Sequence, residues 1–179
     1  MKIGVNQLVK MAFLVAMSIV LMLLVHFPIF PAAPYLEYEP MDVPILLGTF
    51  MYGPLAGLII TFVSSILQGV TVSAGSGWVG GLMHFIATGT LVLTSGTIYK
   101  YNKSVKGAII ALVAGCLAMT AVMVPANLII TVKFWGVPYE AVKGMVVPVL
   151  IPFNLIKSGI NAIVTFLLYK PMKKILYRA

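Results

Sequence analysis

Long apolar stretches follow one another along almost the whole chain, each bounded by prolines, glycines or charged residues. A helix that crosses a bilayer needs roughly 20 mainly apolar residues, so this pattern predicts membrane-spanning helices. The stretches run from about Leu8–Phe27, Val43–Tyr52, Leu55–Val70, Trp78–Tyr99, Gly107–Val132 and Pro148–Tyr169. We therefore expect an all-α bundle of six transmembrane helices that forms a single domain over residues 1–179. Val43–Tyr52 is shorter than a normal span and is the weakest member of this set.

Prolines and glycines mark the predicted connections. The first predicted helix ends at a proline-rich stretch, Phe27–Tyr35, because proline lacks the N–H that a continuing helix needs. The first loop begins with this stretch and continues to Pro44. A turn is predicted at Ser73–Gly77 and a longer loop at Lys133–Val147. Pro125 falls inside the fifth stretch, where it predicts a kink.

Composition supports a membrane protein. Hydrophobic residues make up 61% of the chain and charged residues only 9%, with a mean hydropathy of +1.08. A soluble domain usually carries about 25% charged residues, so lipid must cover most of this surface. The net charge of +8 does not indicate nucleic-acid binding, since the basic residues fall at the ends of the predicted helices.

The distribution of lysines predicts the orientation in the membrane. If the N-terminus is cytoplasmic, six spans place the C-terminus there too. Basic residues then concentrate on the inner side, as the positive-inside rule predicts. The predicted outer segments hold only Lys133 and Lys143, beside all four acidic residues. The predicted inner segments hold nine basic residues: Lys2, Lys10, Lys100, Lys103, Lys106, Lys170, Lys173, Lys174 and Arg178.

One polar stripe in the sixth predicted helix suggests a binding site. At 100° per residue, five polar side chains fall on one face: Asn154, Lys157, Ser158, Asn161 and Thr165. A lysine deep in a membrane costs at least about 2.5–3.5 kcal/mol, so Lys157 requires a partner, a wet cavity or a ligand. The alternative is that Lys157 extends its ammonium group to the nearer interface. A lysine that shares a face with two asparagines favours the functional interpretation.

Three other predicted helices carry polar stripes of the same kind. Each stripe alone is typical of hydrogen bonding between neighbouring helices, and this is the interpretation that we favour for His84. Four stripes together predict a polar pocket inside the bundle. The members are Thr61, Ser64, Ser65 and Gln68; His84, Thr88 and Ser95; and Thr120, Asn127 and Thr131.

Several kinds of chemistry lack their sequence motifs. The chain has no G-x-x-x-x-G-K-[ST] phosphate loop and no H-E-x-x-H zinc motif. No pair of carboxylates falls within one predicted span, so the usual proton relay or sodium site is not indicated. We expect no catalytic residues, no metal site and no cofactor. The alternative of a small intramembrane enzyme would have to use His84 with a serine or a carboxylate.

Five short segments and one asparagine have counterparts in one family of membrane proteins. Ala12–Ala16 (AFLVA) resembles an A-x-x-x-A of that family's first helix. The first loop and second helix are similar in Phe27–Leu36 (FPIFPAAPYL), Asp42–Pro44 (DVP) and Gly53–Gly57 (GPLAG). Ile151–Lys157 (IPFNLIK) resembles the signature of the sixth helix, and Asn127 stands where the fifth helix carries an asparagine. Together these features resemble the substrate-binding (S) components of energy-coupling-factor (ECF) vitamin transporters, specifically the riboflavin-binding members.

The resemblance implies a fold, a ligand and partners. It implies six helices in a bacterial cytoplasmic membrane, with a pocket that opens outward under the first loop. Riboflavin would be the transported ligand, with Asn127, Asn154 and Lys157 bonded to its ring and Gln68, Glu37 or Asp42 near its ribityl chain. Ala12 and Ala16 would dock against a coupling membrane subunit, and two cytoplasmic ATPases would supply the energy. An S component for thiamin, biotin or folate is the alternative within the family.

Overall fold

The computed structural model describes residues 4–31, 33, 36–71 and 77–178. It contains six helical rods, which confirms the all-α prediction. Four are long and apolar enough to cross a membrane: α1 (Val5–Leu24), α4 (Gly77–Tyr101), α5 (Val105–Trp135) and α6 (Tyr139–Tyr169). Two apolar helices are shorter, α2 (Asp42–Tyr52) and α3 (Pro54–Val70). Most of the predicted turn at Ser73–Gly77 lies outside the described residues.

The short helix α2 is surrounded by the rest of the bundle. All nine residues from Asp42 to Phe50 are buried, and α2 packs against α1, α3, α4 and α6. Gly53 allows the abrupt turn into α3, because its φ of 94° is one that only glycine adopts readily. This segment is shorter than a normal span. Its position inside the protein explains the shortness, because α2 is surrounded by other helices and not by lipid.

Each of the last two rods contains one turn of π-helix. In α5 the turn is Asn127–Thr131, two residues after Pro125; in α6 it is Val146–Leu150, which contains Pro148. Proline removes a backbone donor and disturbs the regular α-helical bonding around it, and single π turns are frequent at functional sites. The irregularity predicted at Pro125 is therefore a change of helical bonding just beyond the proline.

The predicted loop at Lys133–Val147 is wrong for most of its length. Helix α5 continues to Trp135, and α6 already begins at Tyr139, so only 136–138 separate them. Glu140 lies in the first turn of α6, where its negative charge interacts favourably with the helix dipole. Beyond the second π turn, regular helix runs through Ile151–Arg178, past the predicted end at Tyr169.

The first loop contains a small hairpin that the sequence pattern does not predict. Its strands are β1 (Phe27–Pro28) and β2 (Glu37–Tyr38), which pair antiparallel. The rings of Phe27 and Tyr38 lie 5.3 Å apart. The hairpin brings the acidic part of the first loop, residues 37–42, back against the helices.

Candidate functional site

A cavity of about 550 Å³ lies between the first loop and helices α3, α4, α5 and α6. This volume falls within the usual range for small-molecule sites, about 300–1,000 Å³. Much of its wall is apolar, formed by methionines, alanine and aromatic rings: Met83, Ala87, Met119, Met123, Trp135 and Phe153. The cavity can therefore hold a flat apolar group while offering polar contacts at chosen points.

Two asparagines line the cavity beside the π turns. Asn127 is the first residue of the π turn in α5, and its side-chain nitrogen donates to the carbonyl of Met123 at 2.8 Å. Asn154 donates in the same way to Leu150, the last residue of the π turn in α6, at 2.7 Å. Each amide carries two N–H donors and an acceptor oxygen, so each retains hydrogen-bonding capacity after this contact with its own helix.

Lys157 forms a buried ion pair with the first loop. Its ammonium nitrogen lies 2.9 Å from Glu39 Oε1, and the two side chains are only 10% and 8% exposed. Gln68, at the end of α3, donates to the same oxygen at 3.0 Å. All three residues line the cavity. Lys157 therefore does not extend to the membrane interface, because its charge is matched inside the bundle.

Asp42 lies behind the cavity wall in a buried polar network. It is fully buried and accepts hydrogen bonds from Thr88 at 2.7 Å and from Asn161 at 3.1 Å. His84 Nε2 lies 3.1 Å from Asp42 Oδ1, the same oxygen that accepts from Thr88. On the other side of the ring, His84 Nδ1 lies 2.7 Å from the Ser65 hydroxyl. The network joins α2, α3, α4 and α6, so it fixes the wall to which His84 and Thr88 belong.

Asn161 attaches the first loop to α6. Its oxygen accepts from the Tyr38 hydroxyl, and its nitrogen donates both to the Glu39 carbonyl and to Asp42, each at 3.1 Å. Burial raises the pKa of the Tyr38 hydroxyl, and the nearby Asp42 charge raises it further. Tyr38 therefore remains a protonated donor. Asn161 lies one helical turn after Lys157, so two residues of α6 hold the stretch 38–42.

The structure brings five of the six predicted ligand-binding residues to one cavity: Gln68, Glu37, Asn127, Asn154 and Lys157. Asp42 is the exception, since its contacts are with the protein. The sequence reasoning did not single out Glu39 as a site residue. The signal that could have found it is the cost of a buried lysine, which a nearby acid can offset, but the first loop offers three acids.

Ala12 and Ala16 lie on the exposed face of α1, away from the cavity. Small side chains at i and i+4 allow another helix to approach closely. Among the described residues, no group of three His, Cys, Asp or Glu side chains could hold a metal ion.

Comparisons with known proteins cover nearly the whole chain. A family model described as ECF transporter, substrate-specific component, matches residues 6–169. The riboflavin transporter RibU of Staphylococcus aureus is 34% identical over 179 residues, covering 97% of this chain and 93% of that protein. The riboflavin transporter FmnP of Bacillus subtilis is 34% identical over 178 residues, covering 94% and 93%.

A solved structure, described as the S component of a bacterial ECF transporter, superposes with a TM-score of 0.82 at 35% sequence identity. It covers 95% of this chain and 96% of that chain. The likeness thus includes the helices that form the cavity.

Proposed function

Because this chain belongs to the substrate-specific components of ECF transporters, we propose that it captures riboflavin at the outer face of a bacterial cell membrane. Its relatives in Staphylococcus aureus and Bacillus subtilis, both 34% identical over nearly their full length, are riboflavin transporters. Their identity to this chain is high enough to support the same class of ligand.

The observation that carries the proposal is the chemistry of the central cavity. Riboflavin has a flat ring system, one edge of which carries two carbonyls around an N–H group. Lys157 supplies N–H donors, and Asn127 and Asn154 supply both donors and acceptors. Met119, Met123 and Phe153 provide apolar surface for the rest of the ring. We assign the polar edge of the ring to the two asparagines and Lys157.

The hydroxylated ribityl chain of riboflavin needs hydrogen-bond acceptors. Gln68 and Glu37 line the cavity, and Gln68 Oε1 is buried without a hydrogen-bond partner among the described residues. A buried polar atom without a partner costs about 1–3 kcal/mol, which a ligand hydroxyl would recover. In this proposal Asp42 supports the site by holding His84 and Thr88 in place.

The proposed partners are a coupling membrane subunit and two cytoplasmic ATPases. The chain has no phosphate-binding loop of its own, so energy must come from other subunits. The exposed small-residue face of α1 at Ala12 and Ala16 is the proposed contact with the coupling subunit.

The alternative of an intramembrane enzyme is not supported, because the family is one of transport proteins. Ser65, His84 and Asp42 do form a hydrogen-bonded chain like that of serine hydrolases. However, Ser65 is only 4% exposed and does not line the cavity, so its hydroxyl is not presented to a ligand.

The test is a titration of the purified protein with riboflavin in detergent. We expect binding of one riboflavin per chain, seen as quenching of flavin fluorescence. Thiamin, biotin and folate serve as competitors and should not displace the flavin. Tight binding of one of these vitamins without any response to riboflavin would reject riboflavin as the ligand and support the alternative cargo.

A further inference from the structure

We propose that Glu39 determines ligand specificity by neutralising Lys157, so that the site accepts an uncharged acceptor group and rejects an anion at that position. The inference rests on the proposed function, since it assumes that Lys157 meets the polar edge of a flavin ring. It adds a residue and a role that follow from the contacts of the first loop.

The pairing is direct and enclosed. Glu39 Oε1 lies 2.9 Å from the Lys157 ammonium nitrogen, and both side chains are about nine-tenths buried. Charge pairs of this kind interact strongly because little water screens them. Lys157 therefore presents its N–H groups to the cavity without presenting an unbalanced positive charge.

Glu39 is also held in place independently of Lys157. Gln68 of α3 donates to the same carboxylate oxygen at 3.0 Å, and Asn161 of α6 donates to the Glu39 backbone carbonyl at 3.1 Å. Gln68 of α3 thus holds the carboxylate of Glu39, and Asn161 of α6 holds its backbone. A ligand that enters the cavity meets the ion pair as a preformed unit.

The other charged groups near the pair do not restore a positive field. Among the described residues that line the cavity, Lys157 is the only lysine or arginine, while Glu37 adds a second carboxylate to that of Glu39. Asp42 lies behind the wall, joined to α6 through Asn161. Among the described residues, Tyr38 and His84 are also titratable groups beside this cluster, and both are in hydrogen bonds. An anionic ligand would therefore face excess negative charge.

The ion pair with Glu39 balances the charge of Lys157 but leaves its N–H donors in place. An ammonium group has three N–H bonds, and Glu39 accepts one of them. The remaining donors can bond a neutral carbonyl of the ligand. The pair thus favours a carbonyl edge in its uncharged form over the same edge after loss of a proton.

The ionisation of bound flavin tests this role. The ring N–H between the two carbonyls loses its proton to solvent at alkaline pH, and the absorption spectrum changes. In the parent protein, bound flavin should ionise at a pH no lower than free flavin does. In Glu39→Gln, the unbalanced Lys157 charge should stabilise the flavin anion, lowering the ionisation pH by at least about one unit, as an opposite charge within hydrogen-bonding range does.

The chain offers a matched control in its other lysine–glutamate pair. Glu140 and Lys143 lie 3.6 Å apart on the surface, with side chains 79% and 60% exposed, so Glu140→Gln should leave the ionisation of bound flavin unchanged. Adding Lys157→Met to Glu39→Gln removes the unbalanced charge and should return the ionisation pH to the parent value.

Two outcomes would overturn the inference while leaving riboflavin capture intact. One is that Glu39→Gln binds riboflavin and ionises it at the same pH as the parent does. The other needs no variant: the parent itself lowers the ionisation pH of flavin, as an unneutralised lysine would. A parent protein that binds no riboflavin at all would instead reject the proposed function.

Discussion

Lys157 shows how far residue-level reasoning reaches. From sequence alone, its cost inside a membrane predicts a partner, a wet cavity or a ligand, and its spacing from Asn154 predicts a shared face of α6. The identity of the partner does not follow, because Glu37, Glu39 and Asp42 lie within six residues of each other in an irregular loop. The hairpin and the contacts of Gln68 and Asn161 bring Glu39 to the lysine.

The roles of Asn127 and Asn154 also could not be read from the sequence alone. Polar residues on apolar helices predict either a site or hydrogen bonds between helices, and the sequence does not separate the two. In the structure Asn127 and Asn154 bond carbonyls of their own helices and line the cavity as well. Asn161, on the same stripe, holds the loop instead. The polar residues of the stripe are all buried, as their shared helix face predicts. Which of them line the cavity and which hold the loop depends on the elements that pack against α6.

Removing Lys157 should lower both the riboflavin affinity and the stability of the protein, for different physical reasons. Lys157→Met should weaken riboflavin binding by about 1.5–3 kcal/mol, the usual worth of a hydrogen bond to a charged group, or roughly ten- to a hundred-fold. It also leaves Glu39 as an unpaired buried charge, which costs about 3–5 kcal/mol. Fluorescence titration and thermal unfolding measure the two effects.

A second change distinguishes those effects. Adding Glu39→Gln to Lys157→Met removes the buried charge, so the melting temperature should recover while riboflavin affinity remains low. Recovery of affinity along with stability would mean that Lys157 acts through folding alone, and parent-like affinity in Lys157→Met would remove it from the site.

At the scale of elements, periodicity predicted the existence of every helix but not all of their bounds. Apolar length identified α1, α3, α4 and α5 to within a few residues. The prediction failed at Lys133–Val147, where two lysines, a glutamate and Pro138 suggested a loop. Proline is compatible with a helix start, and Pro148 was absorbed by a π turn. The pattern of apolar residues does not reveal a helix that starts after Pro138 or a π turn at Pro148.

The contact between α3 and α4 depends on a glycine. A Cβ atom on Gly81 would lie 2.7 Å from the backbone oxygen of Ser65, whereas a Cβ atom on Gly159 of α6 would meet nothing within 4 Å. Gly81→Ala should therefore push the two helices apart and destabilise the protein by about 1–3 kcal/mol. Gly159→Ala is the matched control and should be neutral or slightly stabilising, because alanine favours helix more than glycine does.

Thermal unfolding in detergent measures the difference between the two glycine variants. A melting temperature for Gly81→Ala equal to that of Gly159→Ala would show that α3 and α4 do not need this close approach.

For the whole molecule, the proposed docking face on α1 can be tested apart from the cavity. Ala12→Leu and Ala16→Leu should weaken assembly with the coupling subunit, because the added bulk prevents close helix packing. Riboflavin binding by the isolated chain should remain unchanged, since both residues lie outside the cavity. Co-purification of the complex and fluorescence titration measure the two properties.

Ala121→Leu is a suitable control, because Ala121 is also exposed but lies on α5. Normal assembly of both α1 variants, or equal loss of assembly in Ala121→Leu, would place the docking surface elsewhere.

The shortness of α2 has an electrical consequence. Its 11 residues span about 16 Å, roughly half of a hydrocarbon core about 30 Å thick. If α2 ends at the inner interface, the stretch that precedes it, with Glu39, lies near the middle of the bilayer. A charge moved across a membrane potential gains or loses about 2.3 kcal/mol per 100 mV. Since Glu39 and Lys157 cancel each other and riboflavin is neutral, filling the cavity moves no net charge through that field. The resting potential would then neither draw the vitamin in nor retain it, and under the proposed function the work of release would fall to the partner subunits.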